Sequence, residues 1–281
     1  MRFVKKYWLT ILLVFVFAAG LSVLLYPTVS NYVNSLVQSR AVTDYNRQVT
    51  QITDADYTAS LNAAAEYNAS LIRNPFRFTP TPEETKRYDS LLNVGNTGIM
   101  GVLAIPKIHV ELPIYHGTGT ATLQAGLGHV EGSSLPIGGP GTHAVISGHT
   151  GLPSAELLTN LDQLTLGDQF TITVLGELLT YQVDQIKVVL PDDMSDLGIV
   201  PGEDDVTLLT CTPYGINDHR LLVRGRRVAN GPQTLDVRVD PGAVPVNTSP
   251  MRIIGVGTLA AAFLLYVLLQ CRKRKKRGEN L

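Results

Sequence analysis

Thr207-Leu208-Leu209-Thr210-Cys211-Thr212-Pro213-Tyr214-Gly215-Ile216-Asn217-Asp218-His219-Arg220, followed by Leu221-Leu222-Val223, is the stretch on which the rest of the chain depends. A β-type run from Val206 to Thr210 ends on a cysteine. A loop marked by Pro213, Gly215 and Asn217 then leads into a second β-type run. If the two runs pair as antiparallel neighbours, the loop brings the start of the second strand beside the end of the first, and Arg220 comes close to Cys211. A thiol reacts as its thiolate, and a fixed guanidinium can favour the thiolate or hold a developing oxyanion.

A cysteine at a strand end also suits a small buried apolar position. Its setting argues for chemistry. Cys211 is the only cysteine between two apolar, membrane-type segments, Tyr7 to Tyr26 and Ile253 to Leu269, so it has no intramolecular disulfide partner in that region. A free thiol on the oxidising side of a membrane is a liability unless it has a use.

The first apolar segment is about 20 residues long, enough to span a bilayer as a helix, and Arg2, Lys5 and Lys6 precede it. Residues 1 to 26 read as a membrane anchor or a signal segment with small residues at Ala18-Ala19-Gly20, and the uncut anchor is favoured because cleavage there would leave the apolar stub Leu21 to Tyr26. Residues 252 to 271 form a second expected span, and the Arg-Lys-Arg-Lys-Lys-Arg block within the tail, residues 272 to 281, is expected in the cytoplasm. Residues 27 to 252 then lie on the extracytoplasmic face of the cell membrane. Without the terminal cations and Glu279, about 14 basic and about 23 acidic side chains remain, a charge near −9. That sign disfavours nucleic acid, because a phosphate-binding surface needs the opposite one.

Residues 27 to 73 have helical spacing, with Val33, Leu36, Val37, Ala41, Tyr45 and Val49 on one face and a second helix opening at Thr53 and Asp56 and running through Ile72. Residues 74 to 95 begin as an irregular segment with Pro75, Pro80 and Pro82. From 96 to 230 short β-type runs alternate with Gly/Pro turns, the pattern of a small β-barrel. The expected strands are Gly98 to Ile105, Val110 to Tyr115, Thr142 to Ser147, Phe170 to Leu175, Leu178 to Val189, Val206 to Thr210 and Leu221 to Val228. Gly176-Glu177 reads as a hairpin turn. One helix is expected among them, Ser154 to Leu161, capped by Ser154. Residues 231 to 251, with Pro232, Pro241, Pro245 and Pro250, read as an extended tether.

Of six histidines, His149 follows the apolar strand His143 to Ser147 through Gly148, so its ring is offered at a strand end like the thiol. His219 adjoins Arg220, but neighbours in an extended strand point to opposite faces, so both cannot face one site. His109, His116, His129 and His143 read as polar residues of strands and turns, and their spacing requires no metal.

Taken together, Thr207-Leu208-Leu209-Thr210-Cys211, the arginine nine residues later and Ser147-Gly148-His149 upstream resemble a sortase, a cysteine transpeptidase of Gram-positive cell surfaces. The run Cys-Thr-Pro-Tyr-Gly-Ile-Asn-x-His-Arg-Leu-Leu-Val-Arg-Gly is similar to class C, the pilus-assembling subgroup, with Asp218 at the variable position. The resemblance implies an eight-stranded barrel, mainly β, with N-terminal helices. It gives catalytic roles to Cys211, His149 and Arg220 and needs neither cofactor nor metal. The implied reaction cleaves Leu-Pro-x-Thr-Gly signals of pilin precursors between Thr and Gly and transfers the acyl group to a lysine amine of an acceptor pilin. Class C sortases carry a lid whose Asp-Pro-aromatic segment covers the cysteine. Here Asn74-Pro75-Phe76 stands in its place, so Phe76 burial and an Asn74 hydrogen bond to Arg220 are the expected lid contacts. Two other readings are a sortase that anchors surface proteins to peptidoglycan precursor, and a non-enzymatic membrane-tethered β-domain in which Cys211 is structural.

Overall fold

The computed structural model describes residues 2 to 230, so the expected tether, second span and basic tail, residues 231 to 281, lie outside the described residues. The described chain falls into two compact units, the first ending at Tyr32 and the second beginning at Val33.

Helix α1 is Arg2–Val49, and it passes through Pro27 where the sequence reading separates an anchor from a following helix. Proline removes one N–H from the ladder, and here the turns on either side continue without it. This is the one helix among the described residues long and apolar enough to cross a membrane by length and composition. In the second unit, its buried stripe is Gln38, Val42 and Tyr45, spaced by four and three residues as one helical face requires. Val42 and Tyr45 pack on Ile99 and Val102. The Tyr45 hydroxyl donates to the Met100 carbonyl at 3.1 Å and accepts from the Leu175 amide at 3.0 Å.

Helix α2, Asp54–Leu71, opens where expected, with Thr53 accepting from the Asp56 amide. Its Asn68 side chain exchanges two hydrogen bonds with the Leu135 backbone, at 3.1 and 2.7 Å, and so ties α2 to the barrel. A further helix, α3, Pro82–Ser90, lies inside the segment expected to be an irregular connector. Its start is a capping box: the Thr81 side chain takes the Glu84 amide, and the Glu84 carboxylate takes the Thr81 amide.

Eight strands close into a barrel: β1 (Ile99–Ile105), β2 (Val110–His116), β3 (Leu127–His129), β4 (Thr142–Ser147), β5 (Gln169–Val174), β6 (Glu177–Val189), β7 (Asp204–Thr212) and β8 (His219–Val228). Around the barrel they run β1-β2-β3-β4-β7-β8-β6-β5. β2 with β3 and β4 with β7 are parallel, and the remaining pairs are antiparallel. Closure leaves no free sheet edge at the barrel's waist. Seven strands match the expected runs to within one or two residues, while β3, three residues long, carries no readable period. Leu175 and Gly176, both at positive φ, form the two-residue turn between β5 and β6.

The inside is filled by alternate strand residues, among them Leu103, Ile114, Ile146, Phe170, Ile172, Leu208 and Val223. Phe170 and Tyr181 stack at 5.6 Å. A Cβ on Gly225 would lie 2.5 Å from the Phe170 ring, so the stack leaves room only for glycine.

The expected helix at Ser154 to Leu161 does not form. Leu157 takes a left-handed conformation at φ 42°, Leu152 and Ala155 form an isolated β-bridge, and the only helical turn nearby is a 3-10 turn at Leu161–Gln163. The one short helix between the strands is instead α4, Thr120–Ala125.

Candidate active site

Three neighbouring strands, β4, β7 and β8, carry the residues singled out from the sequence. Their side chains alternate between two faces. Ala144 and Ile146, Val206 and Leu208, Leu221 and Val223 point into the core. The alternate residues Val145, Leu209 and Leu222 form a separate cluster outside the barrel, with Leu197, Phe78, Val130 and Val189.

Along this outer face, Val145 pairs with Thr207 and Ser147 with Leu209. Leu209 pairs with Leu222 and Cys211 with Arg220. Cys211 and Arg220 are thus direct cross-strand partners, on the same face as Leu209 and Leu222. His149 is two residues past Ser147, as Cys211 is two past Leu209 on the parallel strand. The connecting segment is fixed to β7: the Gly148 amide donates to the Leu209 carbonyl at 3.0 Å, and the buried Thr210 hydroxyl donates to the Gly148 carbonyl at 2.8 Å. Gly148 is squeezed between side chains, since a Cβ there would lie 2.7 Å from Leu127 and 2.8 Å from Leu158.

Cys211 is a half-buried free thiol. The Arg220 guanidinium donates to the carbonyls of Asn217 at 3.3 Å and His219 at 3.0 Å. Among the described residues it has no carboxylate partner, so its charge remains available at the sulfur's side of the sheet. The loop from Pro213 to Asp218 turns on Gly215 at φ 80° and Asn217 at φ 61°, with the Pro213 carbonyl accepting from the Ile216 and Asn217 amides. Its Tyr214 ring lies on Gly151, where a Cβ would approach to 3.0 Å. The loop between Cys211 and Arg220 therefore touches the loop that follows His149.

The other histidines are occupied elsewhere. His129 is fully buried, its ring nitrogens 2.9 Å from the Tyr88 hydroxyl and 2.8 Å from the Ser134 carbonyl, and burial holds its pKa down at about 4. His143 lies between the Gly198 carbonyl and the Thr207 hydroxyl and is also lowered, chiefly by burial. His116 bridges the Gly98 and Leu91 carbonyls. His109 occupies a left-handed turn at φ 54°. His219 bonds to Asp218, 2.8 Å away, and pairs with Thr212, on the face opposite to Arg220. No group of His, Cys, Asp and Glu among the described residues could hold a metal ion.

Comparison with known proteins bears directly on this arrangement. Residues 103–228 match the Sortase domain family. The crystal structure of sortase C1 from Streptococcus agalactiae is similar at 52% identity with a TM-score of 0.67, covering 68% of this chain and all of that one (100%). The chain belongs to the sortase family. Sortase C1 of GBS Pilus Island 1 is similar at 43% identity and a TM-score of 0.63, over 70% of this chain and 95% of that one. Sortase D of Bacillus subtilis is 32% identical over 131 residues, 46% of this chain and 63% of that protein. The solved relatives are thus class C sortases matched over nearly their full length, while the chain spans a little under two thirds of the curated sortase D.

In this sortase the segment expected to form the lid makes other contacts than those anticipated. The Asn74 side chain accepts from the Phe76 amide at 2.9 Å, within its own turn, and makes no hydrogen bond to Arg220 among the described residues. The Phe76 ring is 74% exposed rather than buried. An Asx turn satisfies the asparagine locally. What fastens the segment is the following dipeptide. Arg77 donates to the Gly132 carbonyl at 3.3 Å and the Leu197 carbonyl at 2.8 Å, while Phe78 joins the outer-face cluster below Cys211. The Arg77 guanidinium also lies over the Phe78 ring at 4.4 Å. Burial lowers the Arg77 pKa. Neither residue was singled out from the sequence; the only available signal was a cation beside an aromatic ring in a proline-rich stretch.

Proposed function

We propose that this sortase is a cysteine transpeptidase acting at the cell membrane, with the barrel on the extracytoplasmic side and the N-terminal apolar helix as its anchor. The Cys211 thiolate attacks the threonine carbonyl of a Leu-Pro-x-Thr-Gly signal on a pilin precursor. His149, as imidazolium, gives its proton to the departing glycine amine as the C–N bond breaks, which leaves a Cys211 thioester. Arg220 orients the substrate and stabilises the oxyanion. A lysine amine of an acceptor pilin then attacks the thioester carbonyl, gives a proton to the now neutral His149 imidazole, expels the thiolate and leaves an isopeptide bond. Water competes with that amine, so a lid carried by the segment that begins at Asn74, held down through Arg77 and Phe78 rather than through Phe76, would protect the intermediate.

The observation that carries this reading is the cross-strand pairing of Cys211 with Arg220, with His149 on the continuation of the adjoining parallel strand. The similarity to sortases C1, one of them from a pilus island, favours pilus polymerisation over anchoring to peptidoglycan precursor. The test uses the full chain in detergent with a sorting-signal peptide. Mass spectrometry should find an acyl adduct on the wild type and none on Cys211→Ala. An adduct that persisted in the variant would remove Cys211 from its role. Incubation with purified pilin precursors should give an SDS-stable ladder; attachment to a peptidoglycan cross-bridge amine without a ladder would instead support anchoring.

A further inference from the structure

Helix α1 reaches the rim of the barrel that bears His149. Two polar side chains one turn apart on α1 make the contact. Gln38, 8% exposed, donates to the Ala125 carbonyl at 3.2 Å, just ahead of β3. Asn34 donates to the Ser154 carbonyl at 2.8 Å, across 120 positions of sequence. β3 lies against β4 with Gly128 opposite Ser147, so the Gln38 contact falls beside the point where β4 gives way to His149, and the Asn34 contact falls on the loop that follows.

The loop from His149 to Thr159 is closed at its base by its own bonds. The Leu158 amide donates to the His149 carbonyl at 3.2 Å, the Thr150 hydroxyl to the Leu158 carbonyl at 3.4 Å and the Gly151 amide to the Thr159 hydroxyl at 3.0 Å. Leu157 and Leu158 are buried beneath it. The far end of the loop, around Ser154, is held by Asn34, while Tyr214 covers Gly151 on the side of the cysteine loop. The His149 ring itself makes no hydrogen bond among the described residues, so its aim depends on how the backbone beneath it is held.

We propose that Asn34 is a positioning residue for His149, setting the imidazole where it can protonate the leaving amine. The inference rests on the catalytic reading above. The proton transfer it serves is from His149 to the amine nitrogen as the Thr–Gly C–N bond breaks and the Cys211 thioester forms. An amide leaving group needs that proton, whereas an ester leaving group departs with much less assistance. A displaced general acid should therefore penalise the amide far more than the ester.

The experiment compares full-length wild type, Asn34→Leu, Asn34→Asp and Asn34→Gln in detergent. Substrates are a Leu-Pro-x-Thr-Gly peptide and its depsipeptide analogue, with an ester in place of the Thr–Gly amide, and Cys211 alkylation by iodoacetamide is measured in parallel. Asn34→Leu and Asn34→Asp, both without the donor, should lower kcat for acylation by the amide about tenfold, with KM little changed. They should lower the ester rate by less than about threefold and leave alkylation as in the wild type. Asn34→Gln, which keeps an amide donor, should recover most of the amide rate. Equal losses on amide and ester, a loss confined to KM, or wild-type rates in Asn34→Leu and Asn34→Asp would overturn the assignment. Failure of the wild type to form an acyl adduct would instead overturn the catalytic reading on which it rests.

Discussion

Cys211 and Arg220 stand directly opposite each other on β7 and β8, on the outer face of the barrel, with Leu209 and Leu222 as the next pair below. A guanidinium in that place has a defined chemical partner, and the carbonyls of Asn217 and His219 fix its orientation. Arg220→Ala should therefore lower the acylation rate by about 10²-fold or more, the scale of removing one oxyanion donor. Arg220→Lys should recover little, because an ammonium lacks the planar fork of donors. A peptide-cleavage assay at the wild-type rate for Arg220→Ala would remove the arginine from the mechanism.

The lid segment yields a contrast between two adjacent residues. Phe76 is exposed and Arg77 ties its segment to Gly132 and Leu197. Phe76→Ala should change the rate of Cys211 alkylation by less than about twofold, as expected for a ring with few contacts to lose. Arg77→Ala leaves two backbone carbonyls without their charged donor, a loss of about 1.5–3 kcal/mol by the usual worth of such bonds. It should lower the melting temperature and speed alkylation, because the segment and the loop around Leu197 are then released together. An accelerated Phe76→Ala beside an unchanged Arg77→Ala would assign the hold to the ring after all.

The site was legible to the extent that its geometry is local. Cys211 and Arg220 share one hairpin, so strand pattern and loop length suffice to bring them together. His149 is different: its strand runs parallel to β7 and lies some 60 residues away, and periodicity does not say which strands are neighbours. Its place came from motif resemblance. β3 was not legible because three residues with a central glycine carry no period. The helix expected at Ser154 failed because the left-handed Leu157 and the bridge between Leu152 and Ala155 override the cap signal. Conversely, the Thr81-to-Glu84 capping box was present in the sequence and masked by the surrounding prolines. The hydrogen bonds of Arg77 and Asn34 go to carbonyls distant in sequence, which no local pattern reports.

Gly225 tests how tightly the barrel interior is filled. Its missing side chain makes room for the stacked Phe170 and Tyr181, and a methyl group would have to sit 2.5 Å from one ring and 3.0 Å from the other residue's Cβ. Gly225→Ala should cost about 1–3 kcal/mol, the usual penalty for overpacking a filled core. Phe170→Leu in the same chain should recover part of that loss by giving the methyl group space. Melting curves of the single and double variants measure both effects, and additive losses would show that the ring is not what excludes the side chain.

His129 makes stability depend on pH in a defined window. Its imidazole is buried as the neutral form, with a pKa of about 4 against an ordinary 6.5. Above about pH 6.5 neither the folded nor the unfolded chain protonates this histidine, and its contribution is fully present. As pH falls from there toward 4 the unfolded chain takes up a proton that the folded chain refuses, so stability declines, by on the order of 3 kcal/mol in all. His143, lowered by burial, adds a decline of the same sign. Replacement by glutamine, which keeps a donor and an acceptor for Ser134 and Tyr88 but does not titrate, should lower stability at pH 7 and flatten its slope between pH 6.5 and 4. Urea unfolding at a series of pH values measures that slope. A His129→Gln variant as steep as the wild type would assign the decline to other groups, the native carboxylates first among them.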